Sequence, residues 1–302
     1  MSSTAATGTA TGTEQLAFLC LGTMGYPMAG HLARAGYPVK VYNRTQSKAT
    51  SWLAEYAAYS TESASTPAEA ARGADAVFVC AGNDDDLREV VLGPDGALSA
   101  MQAGACLIDH TTVSPGLAKE LNALAKTGEV DFLDAPVSGG QAGAEKGALT
   151  IMLGGEEDAY QRAIPWLECY GKMHLLMGPA GAGQVTKAVN QVCAAGLLQA
   201  LSEGLNLARR AGLDGERVVD VISQGAAQSW QMENRSKTML AGEYDFGFAV
   251  DWMRKDLAIA LAIAGDVDAP LPMTAAVDEL YAEVQARGGG RLDTSSLMTL
   301  LD

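Results

Sequence analysis

Leu16-Ala17-Phe18-Leu19-Cys20-Leu21-Gly22-Thr23-Met24-Gly25 decides the fold, together with the amphipathic run from Met28 to Ala35 and Val39-Lys40-Val41-Tyr42-Asn43-Arg44-Thr45 that follow it. An apolar strand meets a glycine turn, a helix begins at once with Pro27 in its first turn, and a second strand follows Gly36. The unit reads as strand, helix, strand. A helix N-terminus at a glycine turn favours a phosphate, because unpaired backbone N–H groups point outward and no side chain keeps the anion away. The first position of the G-x-G-x-x-G spacing is Cys20, while Gly22 and Gly25 keep the register.

Asn43-Arg44-Thr45 closes the second strand roughly twenty residues beyond the turn, where such a unit places the residue that reads a ribose. An acidic residue there would accept from the 2′-hydroxyl of NAD and repel a phosphate. Asn43 removes that repulsion, and Arg44 offers a planar fork to a 2′-phosphate, with Thr45 and Lys48 nearby. The expected cofactor is NADP in preference to NAD, with NAD possible.

The alternation of strands and helices continues from Ala58 to Met177. Ala74 to Cys80 ends in Ala81-Gly82-Asn83, and Cys106 to Asp109 ends in His110-Thr111-Thr112. Val130 to Leu133 ends in Asp134-Ala135-Pro136-Val137-Ser138-Gly139-Gly140, and further strands fit Ala148 to Leu153 and Lys172 to Leu176. Short apolar strands followed by polar or glycine-rich loops suit a buried, mainly parallel, doubly wound sheet. The loops at Gly22, Ala81, Thr112 and Ser138 are then expected to face one crevice.

After Met177 strand signals fade. Helical periodicity covers Val185 to Ala211, Glu216 to Ser223, Met232 to Leu240, Phe248 to Ala264 and Leu271 to Gln285. The expected organisation is a disordered tail over residues 1–13, an α/β NADP-binding domain over 14–178, and an all-helical substrate and oligomerisation domain over 179–302. At the start of the long helix Lys187, Asn190 and Gln191 share one face, because side chains three and four residues apart are neighbours. Gly181 and Gly183 just upstream are expected to leave room for a ligand to approach the backbone.

The chain has 302 residues and a net charge of −15, which argues against nucleic acid or an anionic membrane as partners. An anionic ligand would need the few cations focused at its site, which draws attention to Arg44, Lys48, Lys187, Arg254 and Lys255. No run approaches the roughly eighteen apolar residues of a membrane helix. The tail has neither the basic start nor the apolar core of a leader, so a soluble, cytoplasmic protein is expected. Cys20, Cys80, Cys106, Cys169 and Cys193 are widely spaced and read as reduced, buried thiols, with no metal-ligand spacing. No G-x-S-x-G, H-E-x-x-H or C-x-x-C pattern occurs. His31, His110 and His174 are scattered; His110 reads as structural or solvent-facing, and Trp230 as either a pocket wall or core.

Taken together, four runs resemble the β-hydroxyacid dehydrogenase family, which includes 3-hydroxyisobutyrate dehydrogenase and tartronate semialdehyde reductase. They are Gly22-Thr23-Met24-Gly25 with Asn43-Arg44-Thr45, Asp134 to Gly140, Gly181-Ala182-Gly183-Gln184-Val185-Thr186-Lys187 with Asn190, and Lys255-Asp256-Leu257. The resemblance spans nearly the whole chain after the tail. It implies a Rossmann domain, a helical second domain, and NAD(P)-dependent oxidation of a β-hydroxy acid or reduction of the matching semialdehyde. Dimers and tetramers are common in such proteins, so a homo-oligomer acting on a small carboxylic acid is expected.

Residue by residue, the resemblance implies that Lys187 is the catalytic lysine. Ser138, Gly139 and Gly140 match the loop that binds the substrate carboxylate, and Asn190 and Gln191 the amides beside the lysine. The cofactor set comprises Leu21, Gly22, Thr23, Met24 and Gly25 at the turn, Asn43, Arg44, Thr45 and Lys48 after the second strand, Cys80, Ala81 and Gly82, then Thr112 near the nicotinamide and Lys255. The departures are Cys20 for the usual first glycine, and Gln191 where many members have a second asparagine. Hydride transfer requires the hydroxyl proton to leave or arrive with it, and Lys187 is the group expected to handle that proton, its pKa lowered by burial and by nearby positive charge. An imine reductase of the same architecture, in which the lysine is usually replaced, and a catalytically silent nucleotide-binding scaffold are the competing readings. A 6-phosphogluconate dehydrogenase would need a longer helical domain.

Overall fold

The computed structural model describes residues 13–301. Apart from Thr13, the expected tail lies outside the described residues. The chain divides into two compact units, the first ending at Gln184 and the second beginning at Val185.

In the first unit strands and helices alternate: β1 (Leu16–Leu19), α1 (Gly25–Arg34), β2 (Val39–Tyr42), α2 (Gln46–Glu55), β3 (Thr61–Ser63), α3 (Pro67–Ala71), β4 (Ala76–Val79) and α4 (Asp84–Leu92). Then come β5 (Cys106–Asp109), α5 (Pro115–Thr127), β6 (Asp131–Asp134), β7 (Val137–Ser138), α6 (Gly140–Glu145), β8 (Leu149–Gly155), α7 (Glu157–Leu167) and β9 (Gly171–Leu176). The nine strands run in the order β3-β2-β1-β4-β5-β6-β8-β7, with β9 on β8. Strands β1 to β6 are mutually parallel, whereas β8 is antiparallel to β6 and β7. The fold is therefore a Rossmann-like, mainly parallel sheet with an antiparallel turn-back after β6.

The central strands are buried along their whole length, as parallel strands covered on both faces must be. Alternate residues enter opposite cores. Leu16, Phe18, Val39, Val41, Phe78 and Ile108 pack on one face with Met28, Leu32 and Trp52; Ala17, Leu19, Val77, Val79 and Leu107 pack on the other with Leu87, Leu117 and Leu121. The period of two in the strands and of 3.6 in the helices thus assigns each apolar side chain to its layer. β9 forms a margin of the sheet, and Met173, Leu175 and Met177 leave about half of their surface in solvent (50%, 49% and 46%).

Helix α8 (Ala182–Arg210) begins in the first unit and continues into the second. It is followed by α9 (Gly215–Ile222), α10 (Trp230–Ala241), α11 (Val250–Asp266) and α12 (Pro272–Ala286). Ala195 and Leu198 of α8 pack with Val250, Met253 and Leu257 of α11 and Val277, Tyr281 and Val284 of α12 to form the core of the second unit. No helix among the described residues is long and apolar enough to cross a membrane.

At the first position of the turn, Cys20 has φ 73°, in the left-handed region that a β-carbon disfavours. The glycine missing from the spacing therefore leaves the backbone in a glycine-like conformation and places the strain on cysteine. The thiol is pushed up to about 12, chiefly by burial and then by the Asp86 charge, so it stays protonated. Cys20→Val, which adds a branched β-carbon at positive φ, should be less stable than Cys20→Gly by on the order of 1–2 kcal/mol. Equal urea midpoints for the two variants would show that the turn carries no such strain.

Candidate active site

The glycine turn is built to receive an anion. Helix α1 begins with Met24 as its N-cap and no side-chain cap, unlike α4 and α5, whose first turns are capped by Asn83 and Ser114. Tyr26 N donates back to the Gly22 carbonyl at 3.0 Å and Pro27 has no N–H, so the N–H groups of the turn before them are the ones placed to meet a ligand. A β-carbon on Gly22 would meet nothing within 4 Å, whereas one on Gly25 would lie 2.2 Å from the Cys20 carbonyl oxygen. Gly22 therefore leaves space above the turn, and Gly25 lets the helix close onto the strand. These features fit a dinucleotide diphosphate.

Asn43 joins the end of β2 to the glycine turn. Its Oδ1 accepts from Leu21 N at 2.9 Å and its Nδ2 donates to the Thr45 carbonyl at 3.0 Å. Arg44 extends with 86% of its side chain exposed, 3.5 Å from Asp86, a solvent-screened contact worth little. Helix α2 also starts without a side-chain cap at Thr45, and Lys48 of its first turn lines a cavity of about 590 Å³ together with Leu21, Gly22, Thr23 and Ser47.

The loops that leave the carboxyl ends of β4 and β5 are joined by hydrogen bonds. Ala81 N donates to Thr111 Oγ1 at 2.9 Å, Thr111 N donates to Asp109 Oδ1 at 2.9 Å, and Ser114 donates through N and Oγ to the Asp84 carboxylate at 3.1 and 2.5 Å. Asp134, at the end of β6 and fully buried, accepts from Gly181 N at 2.7 Å and Gln184 N at 2.9 Å. Burial raises its pKa, and the backbone N–H groups around it pull the other way. Gln184, 1% exposed, accepts from Val113 N at 3.1 Å and donates to the Thr111 carbonyl at 2.8 Å. The sequence reading singled out neither Asp134 nor Gln184 for a role; a carboxylate at a strand end followed by a glycine-rich helix start was the available signal.

The space expected at Gly181 and Gly183 for a ligand is taken by the protein itself. A β-carbon on Gly183 would lie 2.4 Å from the Met152 carbonyl oxygen and 2.8 Å from Asp134, and one on Gly181 would meet Lys119 and the Pro115 carbonyl. These glycines allow α8 to start against β8 and Asp134.

Val137 and Ser138 form the short strand β7, paired with β8, and α6 begins at Gly140. Gly139 and Gly140 have φ 131° and 61°, and a β-carbon on Gly140 would meet nothing within 4 Å. Both are conformations that glycine adopts without a β-carbon clash, and the open position of Gly140 leaves its backbone accessible to a ligand.

In the second unit, Lys187 is 7% exposed and Gln191 4%. Asn190 Nδ2 donates to Gln191 Oε1 at 2.8 Å, and Gln191 Nε2 donates to Asp256 Oδ2 at 2.7 Å. Lys255 Nζ lies 3.2 Å from Asp256 Oδ1. The chain thus gathers Lys187, Asn190, Gln191, Lys255 and Asp256 into one polar group. Burial lowers the Lys187 pKa, Asp256 opposes the shift, and Lys255 adds to it.

Other candidates have structural places. Arg254 is held by Asp278 at 3.0 and 3.1 Å and by Gln285 at 2.6 Å. His110 is buried; its Nδ1 lies 2.7 Å from the Ala135 carbonyl and its Nε2 2.8 Å from the Tyr170 hydroxyl, and burial pushes its pKa down to about 4. The carbonyl can only accept, so Nδ1 carries the proton and Nε2 accepts from Tyr170. Trp230 is 46% exposed, with the Arg235 guanidinium 5.1 Å from its ring, so it is not core. Of the five thiols expected to be buried, Cys106 is; Cys20, Cys80 and Cys169 are half-buried, and Cys193 is exposed on the outward face of α8. Among the described residues no group of three or more metal-ligating side chains is assembled.

Residues 15–178 match the NAD-binding domain of 6-phosphogluconate dehydrogenase, and residues 181–301 match the NAD-binding domain of NADP-dependent 3-hydroxyisobutyrate dehydrogenase. The chain belongs to the β-hydroxyacid dehydrogenase family. It is 56% identical over 288 residues to an uncharacterised oxidoreductase of Shewanella frigidimarina, covering 95% of this chain and 98% of the relative. It is 36% identical to 2-hydroxy-3-oxopropionate reductase of Escherichia coli over 95% of this chain and 97% of that one. The crystal structure of 3-hydroxyisobutyrate dehydrogenase from Salmonella typhimurium superposes with a TM-score of 0.86 at 29% identity, covering 95% and 99% of the two chains. An imine reductase from Pseudomonas is more distant, with a TM-score of 0.63 and 21% identity, and shares the fold alone. As a member of this family, the protein is an NAD(P)-dependent oxidoreductase of the 3-hydroxyisobutyrate dehydrogenase type.

Proposed function

We propose that the protein interconverts a small β-hydroxy acid and its semialdehyde, with Lys187 moving the hydroxyl proton. The observation that carries this reading is the buried lysine with a lowered pKa, grouped with two carboxamides and flanked by a second lysine. A nicotinamide, when bound, supplies or accepts the hydride. In oxidation the neutral Lys187 amine takes the proton from the substrate hydroxyl; in reduction its ammonium donates to the carbonyl oxygen. Ser138, Gly139 and Gly140 hold the substrate carboxylate through backbone N–H groups and the serine hydroxyl, and Asn190 and Gln191 orient the substrate beside the lysine. The family resemblance assigns Thr112 and Lys255 to the cofactor. The retained lysine favours this reaction over imine reduction and over a silent scaffold.

NADP is the preferred cofactor in this reading. The uncapped start of α2, the exposed Arg44 and Lys48 of the same turn together offer N–H groups and two cations to a 2′-phosphate.

The protein also self-associates in this reading, through a second copy seated on the outward face of α8. Val185, Val189, Leu197 and Leu207 of that helix are 40%, 60%, 44% and 71% exposed, and Cys193, Gly196, Ala200 and Gly204 lie between them. A stripe alternating large and small apolar residues is suited to a twofold pairing of identical surfaces.

Lys187→Ala should lower kcat by at least 10²-fold with NADPH affinity kept within about twofold; near-parental turnover would refute the lysine's role. In oxidation, kcat/KM should rise with pH through an ionisation below 10.5, and in reduction it should fall through the same ionisation. Lys255→Met, by removing a neighbouring positive charge, should move that limb to higher pH. A spectrophotometric screen of β-hydroxy acids and semialdehydes with each cofactor tests the substrate class. Arg44→Ala should weaken NADPH about tenfold and NADH little, as expected for one lost charge-assisted contact; a parental preference for NADH would overturn the Arg44 argument. Light scattering should give at least a dimer mass, and Leu197→Glu with Leu207→Glu should reduce it; a monomeric parent would refute the self-association.

A further inference from the structure

Thr112 lies in a segment whose two neighbours are held from outside by one side chain. The Gln184 carboxamide spans the segment, accepting from Val113 N at 3.1 Å and donating to the Thr111 carbonyl at 2.8 Å. It grips the main chain on either side of Thr112 as a neighbouring strand would. The amide cannot be turned over: an N–H needs the oxygen and a carbonyl needs the NH₂ group. Gln184 is 1% exposed, so neither bond is shared with bulk water.

The glutamine is itself fixed at its root. Its backbone N–H donates to Asp134 Oδ2 at 2.9 Å, and Gly181 N donates to Asp134 Oδ1 at 2.7 Å, so one buried carboxylate spans the first turn of α8. A β-carbon at Gly183 would collide with the Asp134 carbonyl at 2.8 Å and with its carboxylate at the same distance, so this seat tolerates little displacement. On the other side of the segment, Thr111 Oγ1 accepts from Ala81 N and Thr111 N donates to Asp109. Burying this many polar groups is costly unless each is paired, and the pairing prescribes one backbone path through Thr112.

We propose that Gln184 is a positioning residue for the reaction: its carboxamide sets the path of Thr111-Thr112-Val113 and, through it, the place of the Thr112 hydroxyl at the cofactor. This rests on the assignment of Thr112 to the cofactor given above. Gln184 acts through Thr112 and does not touch the reacting atoms. Glutamate would not substitute, because its second oxygen would face the Thr111 carbonyl and bring a second buried carboxylate close to Asp134.

The test is a double-variant cycle in the full-length protein with NADPH. Gln184→Met keeps the volume and removes both bonds. It should lower kcat about tenfold or more with the substrate KM changed less than twofold, and raise the primary isotope effect measured with deuterated NADPH. Thr112→Val should produce a similar loss, and the double variant should lose no more than the larger single effect, because residues acting in one chain are non-additive. Amide hydrogen exchange at Val113 should quicken in Gln184→Met, with the urea midpoint of the protein lowered only slightly. Multiplicative losses in the double variant, or unchanged Val113 exchange, would overturn the proposal. Should no β-hydroxy acid be turned over by the parent, the assigned reaction fails; Val113 exchange and NADPH affinity still decide whether Gln184 holds the segment.

Discussion

The carboxylate of Asp134 is the interaction on which the arrangement depends. It is taken fully out of water, and its neighbours are backbone N–H groups at the beginning of α8. A buried carboxylate without such partners would be protonated or expelled. With them it ties the end of β6 to the first turn of the longest helix among the described residues, and glycine at 154 and 183 lets the two meet. Gln184 extends the connection to the loop after β5, and Ala81 extends it to the loop after β4. The loops after β4, β5 and β6 are thus one hydrogen-bonded assembly, and not separate surface segments.

His110 belongs to the same assembly. By holding the Ala135 carbonyl it steadies the backbone between Asp134 and the β7 strand that precedes Gly139. Burial keeps the ring uncharged, and the Tyr170 hydroxyl satisfies its second nitrogen. His110 thus contributes neutral hydrogen bonds beside the carboxylates of Asp84, Asp109 and Asp134, which accept from backbone N–H groups and from the Ser114 hydroxyl.

Much of this was legible in the chain. The strand, turn and helix from Leu16 to Arg34 follow from an apolar run that stops at a glycine, and the helices after Gly181 follow from their 3.6-residue repeat. Lys187, Asn190 and Gln191 fall together because helix geometry alone places them on one side. The rest depends on contacts distant in sequence. Asp134 meets its partners 47 and 50 residues later, and Gln184 meets Val113 across 71 residues. The hold of Asn43 on the glycine turn links positions 22 residues apart, and Gly181 and Gly183, expected to leave room for a ligand, make room for the protein's own backbone. A spacing pattern records that a small or polar residue is needed, but not which neighbour needs it.

The open margin of the sheet at β9 has a consequence of its own. Met173 and Leu175 of β9, with Met177 just after it, present thioether and isobutyl groups at a strand that pairs only with β8 among the described residues, while Lys172 and His174 alternate with them. A cation at such a border discourages another chain from zipping onto it. Lys172 places such a cation at a border where the apolar pattern by itself would invite another strand.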